Sequence, residues 1–129
     1  MHDLASETYK ITNAAGVGAN LVVVQGTNEY ESKLPTVAND DEILGVTTER
    51  QLTQNKQVRV QYLGIARVKA SGVIAVGSTV NIDGTSGKVK AVNEGVGVLV
   101  NALGQALQAA TADGDIIDVL LNFDKYQIS

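Results

Sequence analysis

Short apolar runs alternate along this chain with clusters of Gly, Asn, Asp and Ser, a spacing typical of all-β proteins. The clearest run covers residues 57–70, where apolar and polar side chains alternate. Such alternation predicts a strand with one buried face and one face towards solvent or a partner. Gly64 interrupts the run and predicts a bulge or a bend. The positions predicted to be buried are Val58, Val60, Tyr62, Ala66 and Val68.

Two apolar residues of this run, Leu63 and Ile65, fall on its otherwise polar face. Residues in such positions are either partly covered by a loop or exposed in a contact with another subunit. Both interpretations stay open, and the second names Leu63 and Ile65 as candidate subunit-contact residues.

Six further segments have the residue types of strands, and the loop 83–87 between two of them predicts a hairpin. In the last segment, alternate residues from Ile117 to Phe123 share one apolar face. The segments are 21–24, 43–48, 80–82, 88–92, 96–100 and 115–123.

The segment 102–110 is ambiguous because its apolar residues have helical spacing, i, i+3, i+4 and i+7, from Leu103 to Ala110. Local propensity favours two helical turns, although Gly104 weakens such a helix by about 1 kcal/mol. Two turns are also marginal without tertiary support.

The first twenty residues differ from the rest of the chain. Residues 8–12 have strand-forming types, but residues 13–18 offer little that would fix their conformation. We therefore expect an N-terminal arm over residues 1–20 that is ordered by contact with a partner, followed by one β-rich domain over residues 21–129.

Composition restricts the function classes. The 129 residues suit one domain, and 44% apolar with 19% charged residues indicates a globular chain with an aliphatic core. A net charge of −4 argues against binding to a phosphate backbone. No stretch has the length and apolarity of a membrane span, and the acidic N-terminus does not suit a signal peptide, so we expect synthesis in a cytoplasm.

Candidate chemistry is sparse. The chain has no cysteine, and its one histidine, His2, is close to a terminus where a general base is poorly positioned. The acidic clusters 40–42 and 113–115 lack the ligand spacing of a calcium loop and suit turns better. Lys88 beside the 83–87 loop resembles a carrier-domain lysine only weakly, because Gly87 and Val89 flank it. We expect no catalytic residue, cofactor or metal.

Four segments, in their order and spacing, resemble the capsid decoration (cement) proteins of tailed bacteriophages. A G-x-A-x-V strand is followed by an I-x-x-G-x-x-V turn and strand, and later by a G-x-A-L-x-A segment, an acidic turn and a last apolar strand. The segments are 41–47, 64–80, 103–110 and 113–121, within a region of similarity that covers about residues 36–121.

The resemblance implies a compact, mainly-β domain, described as a small β-barrel or β-tulip, in which residues 102–110 are mostly extended. It also implies a homotrimer that binds the outer surface of an assembled phage head and bridges subunits of the major capsid protein. The arm would then be the capsid-binding element, through strand addition by Thr8, Tyr9, Lys10, Ile11 and Thr12. Catalysis, nucleic acid and membrane have no part in this role.

Other functions remain as alternatives. One is a carbohydrate- or receptor-binding β module of a phage tail or fibre, which needs aromatic platforms, whereas the four tyrosines and Phe123 are scattered along the sequence. A carrier domain modified at Lys88 and an unrecognised enzyme are the others.

Overall fold

The computed structural model describes residues 6–128, and every regular element among them is a β-strand. The predicted mainly-β fold with a small barrel is confirmed. The ten strands are β1 (Ser6–Ile11), β2 (Val22–Gln25), β3 (Glu31–Lys33), β4 (Ile43–Thr47), β5 (Gln57–Gln61), β6 (Ile65–Lys69), β7 (Thr79–Ile82), β8 (Val89–Ala91), β9 (Leu99–Ala106) and β10 (Ile116–Gln127).

The first five strands close into a barrel in the order β1-β3-β2-β4-β5. β1 closes it by running antiparallel to β5 and parallel to β3. Alternate residues point inwards along β1, β2 and β5, as a barrel requires, whereas a register shift interrupts the alternation in β4. The interior is filled by the buried side chains of Ile11, Val17, Val23, Val58 and Val60.

The other five strands form a second sheet in the order β6-β10-β9-β7-β8. Its edges approach each other, since Ala70 after β6 forms a bridge with Val89 of β8. The larger core lies between this sheet and the barrel, because Val22, Val24 and Val46 of the barrel wall pack against the inner face of the sheet.

The run 57–70 forms two strands, β5 and β6, that belong to different sheets. Gly64 lies between them with φ of +87°, a left-handed conformation that favours glycine, so the predicted bend is the point where the chain leaves the barrel. The predicted burial is confirmed for the valines and Ala66 and is wrong for Tyr62, which is exposed.

The remaining strand predictions are confirmed apart from their ends, except that residues 96–98 of the segment 96–100 precede β9 and are not strand. β7 and β8 form the predicted hairpin. β10 extends beyond the predicted segment to Gln127, and its alternation fails at Phe123. A register shift between Leu121 and Asp124 interrupts the pairing of β10 with β9, and the exposed Phe123 lies within it.

The ambiguous segment 102–110 is extended, and β9 occupies most of it. Gly104 shows why tertiary context overrides helix propensity here. A Cβ at this position would lie 2.0 Å from the Leu120 carbonyl oxygen, so the glycine permits close contact between β9 and β10. The helical spacing of the apolar residues is therefore coincidental.

The N-terminal segment differs from the expected arm. From Ser6 onwards it is a strand of the barrel, and Ser6 pairs with Gln61. The following stretch is also held within the chain, since Val17 pairs with Gln51 and the Asn13 side chain accepts a hydrogen bond from the Leu34 amide (2.8 Å). These contacts are distant in sequence, so local patterns give no sign of them. Residues 1–5 lie outside the described part.

Asn39, in the connection between β3 and β4, links the barrel to the second sheet through hydrogen bonds. Its Oδ1 accepts hydrogen bonds from Asn81 Nδ2 (3.1 Å) and the Asn101 amide (2.8 Å). Its Nδ2 donates to the Leu99 carbonyl (2.7 Å), and its own carbonyl accepts from Asn101 Nδ2 (2.8 Å). Its φ of +58° is a conformation that asparagine tolerates better than most residues.

Candidate contact surfaces

An exposed apolar surface covers the outer face of β6, β10 and the end of β9. Ile65 lies directly opposite Leu120, and these side chains are 57% and 42% exposed. Pairing of β10 with β9 continues to Leu107, whose amide donates to the Asp118 carbonyl (2.8 Å) and which therefore lies on the same face. The β6–β10 surface, as we call it, comprises Ile65, Ile116 and Leu120 of these strands, together with Leu107 just after β9 and Leu63 just before β6, and all five side chains are exposed.

Charged residues share this face with the apolar ones. Arg67 is opposite Asp118, and Lys69 is opposite Ile116. Both signs of charge around an apolar centre are a common composition for a surface that contacts another protein. Leu63 and Ile65 are each 57% exposed, so within the described chain both are accessible to another subunit, and their role in a contact stays a prediction.

Sequence reasoning missed three members of this surface, although the signal was available. Leu120 and Ile116 share a parity with the polar residues Asp118 and Asn122 of β10, the same irregularity that drew attention to Ile65. Leu107 was missed because the apolar residues around it have helical spacing, which obscures the strand that precedes it. Only the register of β10 between β6 and β9 brings these side chains together.

Both acidic clusters contain a carboxylate that stabilises a turn. Asp40 Oδ2 accepts hydrogen bonds from the amide and hydroxyl of Thr36, and Asp40 Oδ1 accepts from the Glu42 amide. Asp115 Oδ2 accepts from the amide (2.8 Å) and hydroxyl (2.9 Å) of Thr111, and these bonds hold the pKa of Asp115 below its ordinary value.

The three carboxylates of residues 40–42 lie within 4.8 Å of one another. Asp40 is buried and committed to its turn, whereas the other two are exposed, a common arrangement of surface acidic groups. Lys88 forms an ion pair with Asp113 (2.8 Å) beside the turn of the β7–β8 hairpin. His2 lies outside the described residues.

Three tyrosines lie towards one end of the barrel, at one of its mouths. Tyr62 follows Gln61, which pairs with Ser6 at the start of β1, and Tyr30 precedes β3, where its carbonyl accepts a hydrogen bond from the Lys10 amide (2.7 Å). Tyr9 lies between them on β1. Burial, and then the proximity of Glu7, Tyr62 and Tyr30, raises the pKa of the Tyr9 hydroxyl. Sequence reasoning treated these tyrosines as scattered, because only barrel closure brings them together.

The predicted capsid-binding residues 8–12 lie on and just after β1. Thr8 is exposed, Tyr9 and Lys10 are half-buried, Ile11 is fully buried, and Thr12 hydrogen-bonds to the Ser32 carbonyl. On the β3 side, the described pairing of β1 covers only Lys10 and Ile11. The edge beyond them is the part of β1 that another strand could approach.

Within residues 6–128 no helix could span a membrane. None of the curated proteins matches this sequence. A solved structure with a similar fold is the N base of head fiber gp8.5 of bacteriophage phi29, with a TM-score of 0.65 and 17% identity over 91% of this chain and 92% of that one. The family model described as phage cement protein matches residues 2–121, nearly the whole sequence. The chain therefore belongs to the phage cement protein family.

Proposed function

We propose that this protein decorates the outer surface of an assembled phage head, bridges subunits of the major capsid protein, and thereby stabilises the shell without catalysing a reaction. Family membership supports association with a capsid. The observation that carries the finer proposal is the exposed cross-strand pair of Ile65 and Leu120, because apolar groups held on a rigid sheet face are suited to a protein contact.

The side chains with reactive potential support a non-enzymatic role. Asp40 and Asp115 stabilise turns, Lys88 is paired with Asp113, and Glu94 is paired with Lys90 at 2.8 Å. Groups committed to such contacts are poorly placed to act as nucleophiles or bases.

Stabilisation follows from binding linkage. A protein that binds only the assembled shell opposes disassembly. When its free concentration is about 100 times its dissociation constant, each binding site stabilises the assembled shell by about 2.7 kcal/mol. We further propose that the protein is a homotrimer, because several copies held together gain affinity for a repetitive shell when their geometry lets them engage at once.

The test is binding of Ile65→Asp and Leu63→Asp to undecorated heads, measured by co-sedimentation and by the melting temperature of the heads. Both side chains are exposed, so the variants should fold. If the β6–β10 surface contacts the capsid, binding should fall about tenfold or more, since a charge would be desolvated in the contact. Val96→Asp is the matched control, because Val96 is 80% exposed in the β8–β9 connection, outside this surface.

The molar mass of the pure variants distinguishes the two possible partners of this surface. A trimer that dissociates assigns it to contact between copies, whereas an intact trimer with weakened head binding assigns it to the capsid. If Ile65→Asp and Leu63→Asp behave like Val96→Asp in both measurements, the proposed contact is wrong.

Residues 8–12 remain a second proposed contact with the capsid. Because β1 belongs to the barrel, deleting these residues would unfold the protein and test nothing. Thr8→Pro is a sharper perturbation, since Thr8 is exposed and proline blocks strand addition at an open edge. Melting of the isolated variant controls for damage to the barrel, and head binding as tight as that of the unaltered protein would remove Thr8 from the proposal.

A further inference from the structure

The tyrosine-lined barrel mouth is a second candidate site, separate in residues from the β6–β10 surface. A groove of about 510 Å³ lies there, within the size range of small-molecule sites. Mouths of β-barrels are among the places where such sites occur. The groove is lined by Tyr9, Gln25, Gly26, Thr27, Asn28, Glu29 and Tyr30.

The turn that forms one wall of this groove is held by its own hydrogen bonds. Gln25 Nε2 donates to the Asn28 carbonyl (3.0 Å), the Asn28 amide donates to Glu31 Oε1 (3.0 Å), and the Gly26 amide donates to the Glu31 carbonyl (2.9 Å). A wall ordered in this way loses little conformational entropy when a ligand binds.

Two features of Tyr30 bear on ligand binding. Its ring is 66% exposed, and its φ of +58° is uncommon for a bulky side chain. Strained residues that persist in a structure are often found in ligand sites. Tyr9, in contrast, packs against the barrel core and forms the floor of the groove.

The charges around the groove restrict the class of ligand. Glu29 lines the groove and Glu7 lies close to Tyr9, so a phosphate or another anion would be repelled. Lys10 is also at this end of the barrel, but its ion pair with Glu31 (3.7 Å) matches its charge, so the surroundings of the groove are acidic. A neutral molecule with many hydroxyl groups and apolar C–H faces is not repelled by these carboxylates. It can stack on tyrosine rings while carboxylates and amides accept its hydroxyl hydrogens.

We propose that the barrel mouth binds a short neutral saccharide, with Tyr30 as a stacking platform, Tyr9 as the floor and Glu29 as an acceptor for sugar hydroxyl groups. This activity is additional to capsid binding, and its success or failure does not depend on the decoration role. It would let a decorated head adhere weakly to a glycan-covered surface.

The test is a glycan array probed with the full-length protein, followed by calorimetric titration of the best neutral oligosaccharide. Tyr30→Ala and Glu29→Gln should each weaken binding about tenfold or more while leaving the melting temperature nearly unchanged. Tyr126→Ala is the matched control, because Tyr126 lies on β10 of the second sheet and should bind the sugar normally.

Three results would overturn the proposal. The first is an array on which no neutral glycan binds above the level of an unrelated protein. The second is an equal loss of affinity in Tyr126→Ala and Tyr30→Ala. The third is tight binding of choline without sugar binding, which would make the mouth an aromatic cage for a cation.

Discussion

Replacing Asn39 tests how strongly its side chain couples the barrel to the second sheet. Asn39→Ala removes three side-chain hydrogen bonds, to Asn81, Leu99 and Asn101. Each contributes about 1 kcal/mol, and the buried partners cannot all reach water. Placing alanine at a φ of +58° costs roughly 1 kcal/mol more. The expected loss is about 4 kcal/mol, a large fraction of the 5–15 kcal/mol that stabilises a typical domain.

Urea unfolding of three variants separates these contributions. Asn39→Gly loses the same bonds without the backbone cost, so we expect a loss of about 3 kcal/mol. Asn55→Ala is the control, since Asn55 is exposed and has a φ of +65°, and we expect it to lose only about 1 kcal/mol. If Asn39→Ala is no more destabilising than Asn55→Ala, the side chain does not couple the two sheets. A lower m-value for Asn39→Ala would indicate that the sheets unfold separately.

Three other perturbations have defined outcomes. Gly104→Ala should cost about 3 kcal/mol in urea unfolding, because its Cβ would collide with the Leu120 carbonyl. Gly84→Ala, whose Cβ would meet nothing within 4 Å, should be nearly neutral, and equal effects of the two would contradict the packing argument. Because the pKa of Asp115 is lowered in the folded state, its stabilising effect is present above the ordinary value of 3.8 and is lost as pH falls through the folded pKa. The urea midpoint of Asp115→Asn should therefore decline less than that of the unaltered protein when pH is lowered below 3.8, and parallel declines would refute this.

Local patterns predicted most strands because burial on one face leaves a period of two in the sequence. They could not show which sheet each strand joins. The run 57–70 appears continuous, yet its two halves belong to different sheets, and only the backbone at Gly64 marks the change. The segment 102–110 shows the opposite case, in which the resemblance predicted extended structure correctly against local propensity.

The candidate surfaces were predictable to different degrees. Leu63 and Ile65 could be identified because they violate the alternation of a single strand. The rest of the β6–β10 surface depends on pairing between strands that are distant in sequence, and so does the presence of Tyr9 and Tyr30 in one groove. For the same reason the sequence did not show that residues 6–11 belong to the barrel, since the partners of β1 are β3 and β5.

Closure of the barrel by β1 has a consequence for biosynthesis. β1 leaves the ribosome before β5, its main partner, so Ser6 must wait until Gln61 has emerged. Until then the backbone N–H and C=O groups of β1 that pair with β5 have no partner in the chain and can bind neighbouring nascent chains. Such non-local pairing slows folding, and aggregation during overexpression should therefore depend more on residues 6–11 than on the β7–β8 hairpin, whose strands can pair soon after synthesis.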